Sequence, residues 1–428
     1  MEILGSGPSN WEASLGFVIE TMQEMSRQTQ PGEMVQAYGQ RMRQLLPSDR
    51  FIALSRRGLK DGHFLITRDS TREVKLDPWK QRSQLPRLQG GFLGDLLYGN
   101  KAVVLNDFQV DPDDPAAKYL QGVRSLMTFP VFDGGEALNM TIVMSERLDS
   151  FRQELLPIQV WTANLFGRAT QNLVFARQLE EAHARIDQEM RIIGEIQQSL
   201  LPQKLPEIDT LELAAHYRTA QQAGGDYYDV FPVDKDKWGL LVADVSGHGT
   251  PAAVLMAITH VLAHTRPQEH CTPGKILSYV NHHLARRYSA DQGAFVTAFL
   301  GVYDPIDRTL SYANAGHPPP RVKRCSDGTL FHLDAVGELP MGIIPDVQYS
   351  EGTAEFVAGD QVIFYTDGIT ETFSPNGEMF GVERLDQAVE SCALSAEALL
   401  RALLGEVDRF AGGRVLQDDR TLIVGKIR

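Results

Sequence analysis

The sequence predicts an α+β protein with two modules joined by a long helix. Three observations lead to this prediction. Helical and strand-like periods are mixed in both halves, a heptad-like pattern runs through the middle, and four acidic turns lie at the ends of apolar runs in the C-terminal half. At 428 residues, 43% of them hydrophobic and 22% charged, the chain is long enough for two or three globular domains.

The charge balance and the cysteines limit the possible functions. A formal charge of −14 argues against non-specific binding to nucleic acid or to an acidic membrane surface. Cys271, Cys325 and Cys392 show no Cys-x-x-Cys spacing, so neither a disulfide framework nor a zinc site is expected. With no signal-peptide pattern and no apolar run of about 18 residues, we expect a soluble cytoplasmic protein without a membrane span.

The N-terminal part predicts a small α+β domain. Residues 1–14 begin with a stretch rich in Gly, Ser and Pro and are expected to be mobile. Helices are predicted at 11–28 and 31–46, and strands at 51–54, 64–67, 103–105, 126–131 and 138–144.

Segments 91–95, 101–107 and 124–131 in this part resemble those of a GAF domain. The resemblance implies a sensor domain over 15–170 with a pocket for an unknown small-molecule or protein signal. The alternative is a domain without a pocket that provides dimer contacts.

A charged helix over about 155–201 connects the modules, and residues 171–205 are the predicted linker. Apolar residues recur in it at multiples of seven, at Leu165, Leu179, Ile186, Ile193 and Leu200. The second seam is small or polar, so the pattern fits either a parallel coiled coil, which would give a homodimer, or a helix packed on a neighbouring domain. Small or polar seam residues lower the stability of such a helix pairing. A helix with two arrangements of similar free energy suits a signalling connector.

Four acidic turns lie at strand ends in the C-terminal half. Asp226 follows a double glycine, Asp244 ends a buried run, Asp367 follows the run 362–366, and Asp418 precedes the last strand. Carboxylates brought together at a sheet edge repel one another, and hard cations such as Mg²⁺ or Mn²⁺ usually hold such groups together. The sequence therefore predicts a metal-binding acidic cluster.

Helix pairs are predicted on the same region, at 250–265 with 272–287 and at 382–391 with 395–410. Thr250 is the predicted N-cap of the first helix, with Pro251 at its first position. Two sheets covered by these helices on the outside would bury the apolar faces.

Seven motifs extend the prediction over 206–428: GGDYYDV, ADVSGHGTPAA, FVTAFLGVYD, NAGHPPP, PMGI, YTDGITE and DDRTLIV. In this order they resemble the metal-dependent protein phosphatase (PPM) family, in particular the SpoIIE-type and RsbU-like serine/threonine phosphatases of bacteria. The resemblance implies an α-β-β-α sandwich for residues 206–428.

The resemblance also implies a site with two Mn²⁺ or Mg²⁺ ions about 4 Å apart, whose bridging water attacks phosphorus. The implied ligands are Asp226, Asp244, the backbone carbonyl of Val245, Asp367 and Asp418. Among them Asp244 would bridge both ions, Asp226 would serve one ion, and Asp367 with Asp418 would serve the other. These carboxylates are the expected catalytic residues, acting through the metal-bound water.

Several motif residues have weaker expected roles. Asp419 is the alternative to Asp418. The resemblance favours Asp418, because the ligand in that family lies three residues before the threonine that enters the last strand, which is Thr421 here. Asp229 is expected to orient a ligand, and His248 fits a structural role better than that of general acid. The NAGH turn at 314–317 is expected to shape the sheet rather than to touch substrate. Arg218 is the nearest candidate for a phosphate anchor, which stays open.

We therefore expect a sensor-regulated phosphatase that acts on Ser or Thr of a regulatory protein, by analogy a STAS-type anti-sigma-factor antagonist. The alternative is a catalytically inactive dimeric scaffold, against which the presence of all four aspartates argues. A third interpretation takes 224–226 as a diguanylate-cyclase-like loop. It lacks the Glu-Phe expected next, because Tyr227 and Tyr228 follow.

Overall fold

A computed structural model describes residues 11–46, 48–72, 76–269, 271–288, 293–389 and 392–428. The chain divides into two units, Met1–His183 and Ala184–Arg428. Of the segment 1–14 that is predicted to be mobile, residues 1–10 lie outside the described part. The predicted linker, 171–205, includes the boundary between the units.

The first unit contains one six-stranded antiparallel sheet. Its elements are α1 (Trp11–Ser26), α2 (Pro31–Leu45), β1 (Arg50–Ser55), β2 (His63–Asp69), β3 (Arg87–Gln89), α3 (Gly91–Tyr98), β4 (Val104–Leu105), α4 (Ala117–Leu120), β5 (Ser125–Asp133) and β6 (Glu136–Ser145). The strand order is β3-β2-β1-β6-β5-β4. The predicted helices and strands are all present, whereas the short elements β3, α3 and α4 were not predicted because they are too brief to show a period. The GAF assignment stays a prediction.

One helix, α5 (Leu156–Leu200), spans the boundary between the units and confirms the predicted helix over about 155–201. Two side chains of the predicted seam are largely exposed, Leu179 at 60% and Ile186 at 56%. Coiled-coil pairing stays a prediction.

The second unit contains two five-stranded antiparallel sheets. Its elements are β7 (Leu211–Arg218), β8 (Tyr227–Asp234), β9 (Lys237–Val245), α6 (Thr250–His264), α7 (Pro273–Arg287), β10 (Val296–Asp304), β11 (Thr309–Ala315), β12 (Arg321–Lys323), β13 (Leu330–His332), β14 (Gly352–Glu355), β15 (Gln361–Tyr365), α8 (Asp367–Thr370), α9 (Gly381–Ala388), α10 (Ala396–Ala411) and β16 (Arg420–Ile427). The sheet orders are β14-β11-β10-β9-β8 and β13-β12-β15-β16-β7.

The two sheets face each other and are covered by helices. Phe299 on β10 packs edge-on against Phe364 on β15, with ring centroids 5.8 Å apart. Helices α6 and α7 pack on the first sheet, and α10 packs on β7 and β16 of the second. The predicted α-β-β-α sandwich is therefore confirmed, with one apolar core between the sheets and another under α9 and α10.

Two local predictions were wrong. The N-cap of α6 is Gly249, whose φ of 77° is accessible to glycine, and the Thr250 hydroxyl instead lies 2.9 Å from Sδ of Met190. Cys325 and Cys392, 67 residues apart, form a disulfide. The fold brings their Cα atoms to 5.7 Å, and no spacing motif could have indicated this. Within the described residues no helix has the length and apolar character to cross a bilayer.

Candidate active site

The four predicted aspartates lie at the same end of the two facing sheets. Asp226 directly precedes β8, where Tyr227 pairs with Ala243 of β9, so Asp226 and Asp244 are neighbours across the ladder. Their carboxyl groups are within hydrogen-bonding reach of each other. In the second sheet β15 and β16 are antiparallel, so Asp367 after β15 lies beside Asp418 before β16.

Two glycines allow the loops that carry these aspartates to approach closely. A Cβ on Gly225 would lie 2.7 Å from the carbonyl oxygen of Val245 and 3.3 Å from Oδ1 of Asp244. A Cβ on Gly368 would lie 1.9 Å from the carbonyl oxygen of Asp419. The Gly-Asp and Asp-Gly pairs seen in the sequence are thus packing requirements of the site.

Asp226 is held by the opposite sheet. Its Oδ2 accepts hydrogen bonds from the Thr366 hydroxyl at 2.7 Å and the Thr421 hydroxyl at 2.6 Å. Thr366 follows β15 and Thr421 belongs to β16, so a ligand candidate of one sheet is fixed by side chains of the other. Sequence reasoning placed Thr421 only as a landmark and missed Thr366.

The electrostatics show how crowded the carboxylates are. Burial and the charge of Asp244 raise the pKa of Asp226 well above its ordinary value. Burial, followed by the charges of Asp367 and Asp418, raises the pKa of Asp244 to about 8. Burial and the charge of Asp418 raise the pKa of Asp367 to about 6. These carboxylates are mutually repulsive, as expected of groups that a cation holds together.

The adjacent residues Asp418 and Asp419 have different surroundings. Asp419 is buried, and its oxygens accept from the backbone N–H groups of Ala220 at 2.8 Å and Gly225 at 2.6 Å. Asp418 accepts from the N–H of Asp419 at 2.9 Å. The pKa of Asp418 is raised above its ordinary value, chiefly by burial and also by the charge of Asp419, although that hydrogen bond and nearby His248 act against the shift. Asp419 therefore ties down the loop before Asp226, and Asp418 borders the acidic cluster.

The donor set fits hard divalent cations, because it consists of carboxylate oxygens with the Val245 carbonyl nearby. One such ion keeps its ligand atoms within about 4.2 Å of one another, since each lies about 2.1 Å from the ion. In the described part of the chain, the only three Asp, Glu, His or Cys side chains that each place one ligand atom within 4.8 Å of the others lie elsewhere. In the described structure, no three of the four aspartates therefore present ligand atoms this close together.

The NAGH turn has the structural role that was expected. Asn314 and His317 bond each other through side chain and backbone. The His317 ring lies 2.9 Å from the Thr297 hydroxyl and 3.1 Å from the carbonyl oxygen of Tyr365, so it links the two sheets. Burial lowers its pKa to about 4, which keeps the ring neutral.

Two candidate residues lie at the rim. His248 is exposed on the loop after Asp244, with the Gln221 amide 3.5 Å from its Nδ1. Arg218 is exposed at the end of β7 and is paired in register with Arg420, two residues after Asp418. Arg218 therefore lies at the end of the sandwich that holds the aspartates.

Asp229 does not orient a ligand of the acidic cluster, so that expectation was wrong. Side chains alternate along β8, and Tyr228 faces Tyr217 of the opposite sheet. Asp229 faces α6 instead, where its Oδ2 lies 2.6 Å from Nε2 of His264.

The end of α5 contacts the loop before Asp226 and the start of α6, which sequence reasoning missed at the residue level. The buried Gln197 amide donates to the Gly224 carbonyl at 2.6 Å and accepts from the Gly224 N–H at 3.0 Å. A Cβ on Gly194 would lie 1.9 Å from the carbonyl oxygen of Gln222. Met190 contacts Thr250. The available signal was the small or polar second seam of α5, which includes Gln197.

Comparison with known proteins supports an enzymatic role for this geometry. Residues 234–428 match the family model of stage II sporulation protein E (SpoIIE). The chain is 29% identical over 259 residues to phosphoserine phosphatase RsbU of Bacillus subtilis, across 60% of this chain and 75% of RsbU. It is 25% identical over 185 residues to phosphoserine phosphatase RsbP of the same organism, across 43% of this chain and 45% of RsbP. The SiaA-PP2C domain of Pseudomonas aeruginosa superposes with a TM-score of 0.50 at 19% identity, covering 58% of this chain and 99% of that domain.

The second unit has a PP2C-type fold, and the matches to phosphoserine phosphatases support a serine/threonine phosphatase domain. Within that class, residues 234–428 are similar to SpoIIE. The alignment spans less than half of RsbP.

Proposed function

We propose that the chain is a metal-dependent protein serine/threonine phosphatase that acts on a phosphorylated regulatory protein. The convergence of Asp226, Asp244, Asp367 and Asp418 at one end of two facing sheets carries this proposal. The phosphoserine phosphatases among its relatives support it. By analogy with the branch that the motifs resemble, the substrate is a STAS-type anti-sigma-factor antagonist.

The proposed ligands are the four aspartates and the Val245 carbonyl. When bound, two Mg²⁺ or Mn²⁺ ions would supply an acidic water and neutralise charge on the phosphoryl group. The chain's own residues orient the ligands. Thr366 and Thr421 occupy Oδ2 of Asp226 and so leave its Oδ1 for a cation. Asp419 fixes the Gly225 N–H and with it the approach of the β8 loop.

We further propose that α5 regulates the site. Its C-terminal part grips the loop before Asp226 through Gln197 and touches Thr250, just after the loop that follows Asp244. A shift of α5 would therefore move both loops and change the spacing of the aspartates. Because α5 is one continuous helix from the first unit, a signal bound there has a physical route to the site.

The first unit offers a place for such a signal. A cavity of about 310 Å³ lies beside the sheet of this unit. Its lining includes Arg50, Arg72 and Lys118 next to Asp69. The exposed Leu179 and Ile186 support the proposed homodimer through α5. A cytoplasmic location belongs to the same proposal, and the Cys325–Cys392 disulfide argues against it, since such bonds are rare in reducing compartments.

The test is hydrolysis of p-nitrophenyl phosphate and of a phosphoserine peptide by the full chain, with Mn²⁺ added and then chelated. We expect Asp244→Asn to lower kcat/KM by at least about 100-fold, since several kcal/mol of metal stabilisation are lost. Asp234→Asn is the matched control, because Asp234 is exposed at the far end of β8. Turnover that is independent of the divalent ion, or that is unchanged in Asp244→Asn, would contradict the proposal.

A further inference from the structure

A second group of metal-ligand side chains lies on the outer face of the first sheet. Asp229 projects from β8 toward α6, and His260 and His264 are one helical turn apart on the face of α6 that covers it. One candidate ligand atom from each of the three lies within 4.8 Å of the others. Asp226, three residues before Asp229, belongs to the acidic cluster at the sheet ends. The two groups are therefore separate.

Hydrogen bonds already orient the three side chains toward one point. Oδ2 of Asp229 lies 2.6 Å from Nε2 of His264 and 3.7 Å from Nδ1 of His260. The buried Tyr227 hydroxyl donates to Oδ2 of Asp229 at 2.6 Å and lies 2.8 Å from Nδ1 of His260. Oδ1 of Asp229 accepts from the N–H of Val230 at 2.7 Å, which fixes the carboxylate plane.

The group is both anchored and reachable from solvent. Asp229 is 5% exposed, so its carboxylate has a defined position. The side chains of His260 and His264 are 21% and 38% exposed, so an ion can enter from the His264 side. The 2.6 Å contact between Asp229 and His264 is that of a hydrogen bond. Two ligand atoms of a tetrahedral zinc ion are about 3.3 Å apart. A small rotation of the exposed His264 ring would lengthen its distance to Asp229 to that value.

We propose that Asp229, His260 and His264 form a binding site for a divalent transition-metal ion of the zinc class. Two imidazole nitrogens and one carboxylate oxygen are the donor set that Zn²⁺ favours, and they discriminate against Mg²⁺, which prefers oxygen alone. The fourth position faces solvent beside His264.

A bound ion would join two elements that also lead to the acidic cluster. β8 follows Asp226 directly, and α6 begins six residues after Asp244. An ion held between Asp229 and the two histidines therefore ties α6 to β8 and stabilises the sheet edge below the cluster. The inference does not depend on the proposed phosphatase activity, because it concerns binding on another face.

The experiment is a Zn²⁺ titration of the full chain against a chromophoric chelator, with Mg²⁺ in large excess to saturate carboxylate-only sites. The test variant is His260→Gln/His264→Gln, in which glutamine retains hydrogen-bonding capacity toward Asp229. We expect the wild type to bind one tight equivalent of Zn²⁺. We expect the double variant to bind it at least about 100-fold more weakly, because two of three ligands are gone. Zn²⁺ should also raise the melting temperature of the wild type only.

Two controls separate this site from other Zn²⁺ ligands. His282→Gln removes a histidine that pairs with Asp346 at 2.8 Å, and Cys271→Ser removes the free thiol nearest in sequence to α6. Both should bind Zn²⁺ like the wild type. If the double variant does not fold, Asp229→Asn serves in its place, with the same expected loss. Equal affinity and stoichiometry in the wild type and the site variant would overturn the proposal, and the group would then be a hydrogen-bond network only.

Discussion

The strand β15 has an aspartate at each end, and the two ends differ in what the protein offers the carboxylate. Before the strand, Asp360 is fully buried and accepts from the N–H groups of Cys325 at 3.1 Å and Val357 at 3.0 Å. After the strand, Asp367 is half-buried and faces Asp244 and Asp418.

The difference separates structural carboxylates from functional ones. Where backbone N–H groups converge on a carboxylate, its charge is already compensated and it stabilises the fold. Where other carboxylates converge, the compensation comes from protons or from a bound cation, and the proposed function assigns a cation to this site. Asp419 and Asp418 repeat the same contrast in adjacent positions.

The largest expected effect distinguishes the two ends of β15. Asp367→Asn should lower metal-dependent kcat/KM by at least about 100-fold, because the charge of a proposed ligand is lost. It should not lower the melting temperature without metal, because burial and repulsion raise the pKa of Asp367 to about 6. Asp360→Asn should instead lower the free energy of unfolding by roughly 2 kcal/mol, since hydrogen bonds to a charged group are lost. Thermal melts in chelator and steady-state kinetics measure both. Equal destabilisation by the two variants would break the comparison.

The adjacent pair gives a smaller and sharper test. Asp419→Asn replaces one acceptor oxygen by an NH2 group, which then faces the N–H donor of Gly225 or Ala220. We expect the free energy of unfolding of the metal-free protein to fall by about 1.5–3 kcal/mol. Asp418→Asn should leave that stability unchanged and weaken Mn²⁺ binding. Melting curves and calorimetric Mn²⁺ titration check the two outcomes. If Asp418→Asn binds Mn²⁺ like the wild type while Asp419→Asn does not, the ligand assignment is reversed.

The smallest effect concerns the contact of α5 with the site. Gln197→Ala leaves the N–H and carbonyl of Gly224 without their partner, so we expect Mn²⁺ affinity and kcat to fall by about 10-fold, corresponding to one or two hydrogen bonds. The exposed neighbour gives the control, Gln198→Ala, which should behave like the wild type. Identical kinetics in both variants would show that Gln197 supports the fold without tuning the site.

Much of the fold was predictable because its periods are strong. The helices α6, α7 and α10 and the strands β8, β9 and β16 came from apolar patterns bounded by Gly, Pro and acidic turns. Short exposed elements such as β3 could not be predicted, since three residues do not define a period. The disulfide depends on a long-range approach that no local pattern records.

The site was predictable only in part, for a physical reason. The four aspartates could be named because each lies at a strand end, next to a turn residue. Their environments depend on the other sheet, and a single sequence does not state which threonine faces which carboxylate. Only the structure shows that Thr366 bonds Asp226, that Asp419 accepts from backbone N–H groups, and that Asp229 faces α6. Whether these residues hold two ions stays a prediction.

The bonds from Thr366 and Thr421 to Asp226 have a further consequence. Because the donors and the acceptor belong to different sheets, the acidic cluster keeps this arrangement only while the two sheets stay packed against each other. Cations bound by these aspartates would then link the two sheets, so their release rate would report how often the sheets separate. Metal binding and resistance to unfolding would therefore change together.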